Sequence, residues 1–546
     1  MSSIILDEWI SEGSVMVIYE SRFVREMDRA AIASGIPSLV LMERAAYGIY
    51  ECAARVLGNV YGKKIVIFSG TGNNGGDGLA FARIAKKEGA DVHCFLTGDP
   101  GRMTADTAEN YRLIRNDGID PVRFQPDNKS HADTVRDADL IIDAIYGIGF
   151  HGKLSGTAAE AAKIINTSKA PVIAADIPSG AEADSGLVSE GCVIADHTVT
   201  FTCLKPALCI QPAKSYCGEI TVHDIGIPQS CIDEAFESEN AREPYHSIEL
   251  IDGSFLRGLL PPRKADSHKG NYGKVLVVGG RVGYTGAPYL AALSAYRTGS
   301  GLVYMAVPES IYEIEASKCA EIICLPFESS NGGFSSRAAD SLISLAEKCD
   351  VCVIGPGLGL NEDTVLLTEE LLKRIAIPVV LDADGINAIA GNINILAERA
   401  SLRRCTVITP HDVEFGRIGG DLSYGRIYAA RAMSARLGSV VVLKGNTTVT
   451  ALPEGNVFVN SSGNPGMAKG GSGDVLAGMI GSLIGQGILV DRAAAAGVYF
   501  HGAAGDRAAE RFGEYGMLPT DLISEIPAVL RKFTGNSEEK RCDSQF

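Results

Sequence analysis

Short apolar runs recur along this chain, and nearly every one stops at a glycine or an oxygen-bearing side chain. In the first half they are KIVIFS (64–69), 92–96, LIIDA (140–144), 171–175 and 198–201. In the second half they are KVLVVG (274–279), 302–307, 351–355, 379–382, 406–409 and 440–443. Runs that are apolar throughout, rather than alternating, suit strands buried on both faces of a parallel sheet. Helix-length segments such as 78–88 and 104–115 separate them, so the pattern predicts doubly wound α/β architecture in both halves. In such sheets ligands bind in the crevice beyond the carboxyl ends of the strands, which is where the glycines and oxygen side chains cluster.

The chain has 546 residues, enough for two large domains. Residues 24–56 read as two helices broken by the turn Gly35-Ile36-Pro37. The polar stretch 234–245 reads as a linker, giving domains 1–235 and 236–546, and the tail from about 534 reads as disordered. A net charge of -16 argues against general affinity for nucleic acid or anionic membrane. Thirteen cysteines, an odd number, are scattered along the chain, and the acidic N-terminal residues do not form a secretory signal, so a reduced cytoplasmic setting is expected. No apolar run reaches membrane-spanning length.

The loop after the first strand, Gly70 to Gly78 (GTGNNGGDG), opens with G-x-G-x-x-G, which raises the possibility of a dinucleotide-binding dehydrogenase. That fold also needs an acid at the end of the second strand; Asp99 lies past it and Asp91 before it. Two asparagines and Asp77 crowd the loop with oxygen atoms suited to a polar ligand or a monovalent cation. Asp143 precedes a second glycine loop, Tyr146 to Lys153, and Asp176 precedes Ile177-Pro178-Ser179-Gly180. The three loops are expected to converge on one crevice.

In the second half, Gly279 to Ala287, GPGLG (355–359), DADG (382–385), TPHDVE (409–414) and KGNTT (444–448) each follow a strand. There is no Walker A pattern. The stretch Asn464 to Gly478 (NPGMAKGGSGDVLAG) runs from a glycine-rich loop into an apolar helix, with Asp474 at the junction. Freed backbone N–H groups and the helix dipole make an anion receptor there. A carboxylate in it would repel phosphate as a ligand, so Asp474 suits a base that takes a proton from the attacking group. A plain helix cap after a flexible loop is the alternative. His411 has no second ligand at zinc spacing.

The set GIPSLVLMERA, NNGGDG, DAIYGIG and DIPSG, over about 24–227, resembles the N-terminal epimerase domain of bifunctional NAD(P)H-hydrate repair enzymes. HKGNYGKVLVVGG, GPGLG, LDADGIN, TPH, LKGNTT and GNPGMAKGGSGDVLAGMI, over 245–531, resemble the ribokinase-like dehydratase of the same family. The resemblance implies a Rossmann-like three-layer α/β/α domain followed by a ribokinase-like one. It implies epimerisation of the R and S hydrates at C6 of the reduced nicotinamide, then dehydration of the S form with ADP as phosphate donor, releasing AMP and phosphate. Position by position, it assigns hydrate contacts in the first domain to Asn73, Asn74, Gly75, Gly76, Asp77, Gly147, Ile148, Gly149, Phe150, His151, Gly152 and Lys153, with Asp176 as acid/base. Potassium is assigned to Asn74, Asp143 and Ser179. In the second domain Ala287, Gly357, His411 and Asp474 are assigned to the hydrate, and Lys444, Gly445, Asn446, Thr447, Thr448 and Gly473 to the nucleotide, which brings magnesium.

Two positions depart from the family pattern. Lys469 stands where a small or hydroxylated residue is usual and would add positive charge near the phosphates; Asp412-Val413 replaces Pro-Gly in TPHPGE, with Glu414 kept. Expected partners are small molecules, with no nucleic acid or membrane, and assembly as a homo-oligomer. Two other readings are a kinase for a vitamin-like alcohol, which leaves the first half unexplained, and a non-catalytic dinucleotide sensor, which has no use for Asp176 and Asp474.

Overall fold

A computed structural model describes residues 4–6, 17–242, 246–318 and 320–534, and the chain divides into two compact units, 1–245 and 246–546. In the first unit a parallel sheet runs in the order Ile4–Leu6, Glu219–His223, His197–Phe201, Val172–Ala175, Leu140–Ala144, Lys64–Ser69, Asp91–Leu96, Val122–Arg123. Alternate residues of one strand enter different cores. Ile65 and Ile67 pack among helices Ser21–Ala33, Ser38–Leu57 and Asn73–Lys87, whereas Val66 and Phe68 pack among Gly156–Thr167 and its neighbours. Helices therefore cover both faces, the three-layer arrangement expected of strands apolar on both sides.

The second unit has its own sheet, in the order Ile323–Phe327, Leu302–Pro308, Lys274–Val278, Val351–Ile354, Val379–Leu381, Thr406–Ile408, Val440–Leu443, Val449–Ala451, Val457–Asn460, Ile248–Ile251. It is parallel as far as Val440–Leu443; Val449–Ala451 then pairs antiparallel on both sides. Val275 to Val278 have no exposed surface, and the residues from Val475 to Ile484 are likewise buried. Helix Ser472–Gly485 is apolar all round because it is wedged between helices Gly286–Arg297 and Val490–Gly516 and the sheet. That burial holds its N-terminus in one place.

The α/β expectation holds in both units, but three local expectations do not. Most of the stretch read as a linker belongs to helix Gln229–Arg242, which packs on Ser21–Ala33 with the Phe23 and Phe236 rings 5.4 Å apart; 243–245 lies outside the described residues. The first glycine-loop helix begins at Asn73, not Gly78, so NNGGD forms its opening turns. Strands Glu219–His223, Ile248–Ile251 and Val449–Ala451, unread in the sequence, extend the sheets. The tail beyond residue 534 lies outside the described residues.

Candidate active sites

In the first unit three strand-end loops meet around a cavity of about 540 Å³. Asn73, Asn74, Asp77, Gly147, Ile148, Gly149, Phe150 and Asp176 line it. A methyl group built on Gly147 would stand 3.0 Å from Asp176 Oδ2 and 3.2 Å from Asn74 Cγ, so the loops converge at this point. Gly75 serves the fold instead: a β-carbon there would come within 2.1 Å of the Gly70 carbonyl oxygen. Gly76 is likewise closed off, by Met42 and Thr107. His151, Gly152 and Lys153 are exposed and do not line the cavity, and the Gly152 N–H donates to Glu182 Oε1 at 2.8 Å.

Asp176, at the end of Val172–Ala175, adopts φ 65°, a strained value for a non-glycine residue. Its Oδ1 accepts from Lys205 Nζ (2.8 Å) and Thr200 Oγ1 (3.1 Å), and its Oδ2 from the Ile148 N–H (3.3 Å). Lys205 is 1% exposed and also donates to Thr200 Oγ1 and the Phe201 carbonyl. Burial, the largest single influence, would lower the lysine's proton affinity, but Asp176, Cys203 and Asp28 together outweigh it and raise it. Asp143 is fully buried, and that burial lifts its carboxyl to about 6 despite hydrogen bonds from Ser179 Oγ (2.6 Å) and the Ser179 N–H (2.8 Å). Both polar atoms of the Asn74 carboxamide are buried without a partner.

In the second unit Asp474 is the third residue of helix Ser472–Gly485, preceded by Gly471 at φ 103°. That left-handed turn belongs to glycine; a β-carbon would also strike Leu290 at 2.7 Å. Burial, reinforced by Asp382, raises Asp474 to about 7, with Lys444 pulling the other way. Lys444 Nζ lies 2.8 Å from Asp382 Oδ1 and 3.8 Å from Glu414 Oε2, and a β-carbon on Gly473 would stand 3.2 Å from it. Burial opposes the lysine's charge, but Asp382 and Glu414 outweigh it and raise its proton affinity. Thr409 Oγ1 donates to Asp382 Oδ1 at 2.6 Å, while Asp382 Oδ2 is buried and unpartnered. The result is a cationic nitrogen beside a helix N-terminus that carries a carboxyl poised near neutrality.

Gly357 and Ala287 also meet: a β-carbon on the glycine would stand 3.1 Å from that of Ala287. His411 caps helix Asp412–Arg417, its Nδ1 accepting from the Val413 and Glu414 N–H groups (3.2 and 3.3 Å) while Glu414 Oε2 accepts from the His411 N–H. Its Nε2 faces Glu414 Oε1 at 3.4 Å. Asp412 pairs with Arg426 Nη1 (2.7 Å), and Arg426 Nη2 donates to the Lys444 carbonyl (2.8 Å), which ties the 411–414 turn to the 444–448 loop. Thr448 Oγ1 donates to the Gly445 carbonyl (3.2 Å), and Thr447 Oγ1 is buried without a partner.

Lys469 is anchored by backbone carbonyls. Its Nζ donates to the carbonyls of Tyr515 (2.8 Å) and Met517, so the ammonium is spent on the end of helix Val490–Gly516. The same helix holds the loop twice more. Asp506 accepts from the Gly463 N–H (2.9 Å) and Asn464 Nδ2 (3.0 Å), and His501 Nε2 lies 2.9 Å from the Ser472 carbonyl. Burial lowers His501 to about 4, so the neutral ring donates to that carbonyl.

Residues 38–207 match the family described as YjeF-related protein N-terminus, and 275–528 match NAD(P)H-hydrate dehydratase. The bifunctional NAD(P)H-hydrate repair enzyme Nnr of Moorella thermoacetica is 40% identical over 516 residues, 93% of this chain and 95% of that protein. The chain belongs to the bifunctional NAD(P)H-hydrate repair enzymes. The Archaeoglobus fulgidus member is 37% identical over 518 residues, covering 94% of this chain and 99% of that one. Among solved structures, an ADP/ATP-dependent NAD(P)H-hydrate dehydratase from Bacillus subtilis, co-crystallised with ATP and Mg²⁺, is 31% identical. It covers 51% of this chain and 96% of its own, with a TM-score of 0.43.

Against this repair-enzyme family, the residues that sequence reasoning missed are the partners of the named ones. Lys205 follows the strand His197–Phe201 and precedes a proline, where a lysine reads as surface. Asp28 lines the cavity from a helix read only for its apolar face. Asp382 was visible at a strand end, yet nothing in the sequence tied it to Lys444, 62 positions away. Among the described residues no helix is long and apolar enough to cross a membrane, and no group of three or more acidic, histidine or cysteine side chains could hold a metal.

Proposed function

We infer that the protein repairs hydrated NADH and NADPH, the first unit interconverting the R and S hydrates and the second dehydrating the S form. The observation that carries this reading is Asp474, held near neutrality at the mouth of a helix beside the Lys444 ammonium. A base with a proton affinity close to ambient pH is the most effective for abstracting a proton from a hydroxyl. As Asp474 takes the C6 hydroxyl proton, the oxygen attacks the terminal phosphorus of ADP and AMP departs. Lys444 and the N–H groups at Gly471 to Gly473 neutralise the charge on the transferring group. The C6–O bond then breaks with its electron pair leaving on phosphate, C5 loses a proton, and the ring double bond returns.

In the first unit Asp176 would be the base at the cavity wall, and Asn73, Asn74, Asp77 and Gly147 to Phe150, which line the cavity, would surround the hydrate. Asn74, Asp143 and Ser179 would hold potassium: the unpartnered Asn74 carboxamide, a carboxylate and a hydroxyl are the hard oxygen donors such an ion takes. The ion would supply positive charge for the substrate's polar groups. Magnesium would arrive on the nucleotide phosphates, with the unpartnered Asp382 Oδ2 as its protein ligand, the usual economy of magnesium sites.

Mixed R and S NADPH hydrates, incubated with the protein, ADP and Mg²⁺, should both regain dihydronicotinamide absorbance. Absence of recovery with ADP and with ATP would overturn the reading. Asp474→Asn should abolish dehydration and spare epimerisation, and Asp176→Asn the reverse; loss of both activities in either variant would argue against separate sites.

A further inference from the structure

The first-unit cavity holds more ionisable groups than a single acid/base residue needs. Asp28 reaches it from helix Ser21–Ala33, Asp77 from helix Asn73–Lys87, Asp176 from the end of strand Val172–Ala175, and Lys205 from the turn before Pro206. Arg25 and Asp106 complete its charged lining, and Cys203 lies close enough to Lys205 to feel its charge. The three carboxyls are not equivalent. Asp176 accepts three hydrogen bonds, one of them from the buried Lys205 ammonium, so both of its oxygens are engaged as acceptors. Asp77 is half-buried and lines the cavity. Burial, with Asp176 and Asp28 adding to it, lifts it well above the usual carboxylate range, and Lys205 only partly opposes this. Asp28 is raised less, to about 6, by burial. A carboxyl whose surroundings favour its neutral form, facing the same cavity as one held by hydrogen-bond donors, pairs an acid with a base.

We propose that Asp77 and Asp176 act on the hydrate as an acid and base pair, with Lys205 as the residue that positions and charges the base; this rests on reading the first unit as the epimerase. The hydrate carries its hydroxyl on the carbon bonded to the ring nitrogen, so inversion needs only opening and reclosure of that bond. Asp176 takes the hydroxyl proton, the C6–N1 bond breaks as C6=O forms, the electron pair passes to N1, and Asp77 delivers a proton there. Rotation about C5–C6 presents the other face of the aldehyde. N1 then attacks it, returns its proton to Asp77, and the oxygen recovers its proton from Asp176. Nothing is oxidised or reduced.

The test follows interconversion of the separated R and S hydrates by chromatography, with nucleotide left out so that dehydration is silent. Wild type must interconvert them; failure there sinks the epimerase reading itself. Given that activity, Asp77→Asn should lower epimerase kcat by about 100-fold or more with little change in KM, and Asp28→Asn should have a much smaller effect. A rate for Asp77→Asn within about threefold of wild type overturns the proposal, because general acid catalysis is worth on the order of 100-fold or more. Lys205→Met should move the acid limb of the pH–rate profile to higher pH, a change that a packing role would not produce. Should Asp77→Asn fail to fold, the wild-type profile decides. Turnover that falls on the alkaline side and slows in D₂O supports the pair, and a flat profile with no slowing overturns it.

Discussion

Replacing Asp474 by Asn should make the protein more stable while destroying dehydration. Asp474 ionises at about 7, against 3.8 for a free aspartate, because burial and the neighbouring carboxylates Asp382, Asp384 and Glu414 disfavour its charge more than Lys444 supports it. At about 1.4 kcal/mol for each factor of ten in proton affinity, that displacement corresponds to about 4 kcal/mol of destabilisation at alkaline pH. Asp474 keeps some contact with water, and screening brings the expectation to about 2–3 kcal/mol. For a domain of this size about 2 °C accompanies each kcal/mol, so the second unit's transition should rise by about 4–6 °C at pH 8. The folded state binds this proton more tightly than the unfolded chain. The wild-type penalty is therefore full above pH 7, shrinks as pH falls, and is gone near 3.8. Calorimetric melting of both proteins from pH 8 to pH 4 should show the gap closing toward acid. A variant that melts at or below wild type at pH 8 would refute the account of Asp474 as a strained base.

Lys469→Met should lower the stability of the second unit by about 1–3 kcal/mol through loss of charged hydrogen bonds, and raise nucleotide KM without changing epimerisation; a change in phosphate affinity with stability intact would restore the phosphate-facing role. His501, held at about 4 against 6.5 for a free imidazole, binds its proton less tightly in the folded state. Stability should therefore fall as pH drops from 6.5 to 4, by about 3 kcal/mol in total, and His501→Gln should flatten that slope in equilibrium unfolding. Asp412→Ala frees Arg426 and loosens the 444–448 loop, so nucleotide KM should rise several-fold while kcat changes less, as steady-state kinetics would show.

What the sequence made legible follows from burial. Val275 to Val278 and Ile65 to Phe68 are apolar at every position because both faces of those strands are covered, and such runs announce themselves. Glu219–His223 alternates polar and apolar residues, and Gln229–Arg242 carries only a narrow apolar stripe through Cys231 and Ala235, so neither stood out. The strand-end loops were legible as chemistry because glycines and oxygen side chains gather there. The relations among them were not. Lys205 and Asp176, or Lys444 and Asp382, become pairs only when the sheet sets distant strand ends side by side. Lys469 is a further case: its charge was visible, but not the two carbonyls that hold it.

The loop from Gly463 to Ser472 contains only one short turn of its own, and its shape is lent to it by Asp506, His501 and the carbonyls at Tyr515 and Met517. The shape of this loop thus has a cause lying far from it in the chain. Trimming the chain back past Met517, or fusing a partner that strains the close of helix Val490–Gly516, would unmake the proposed anion receptor while leaving Lys444 and Asp474 in the sequence.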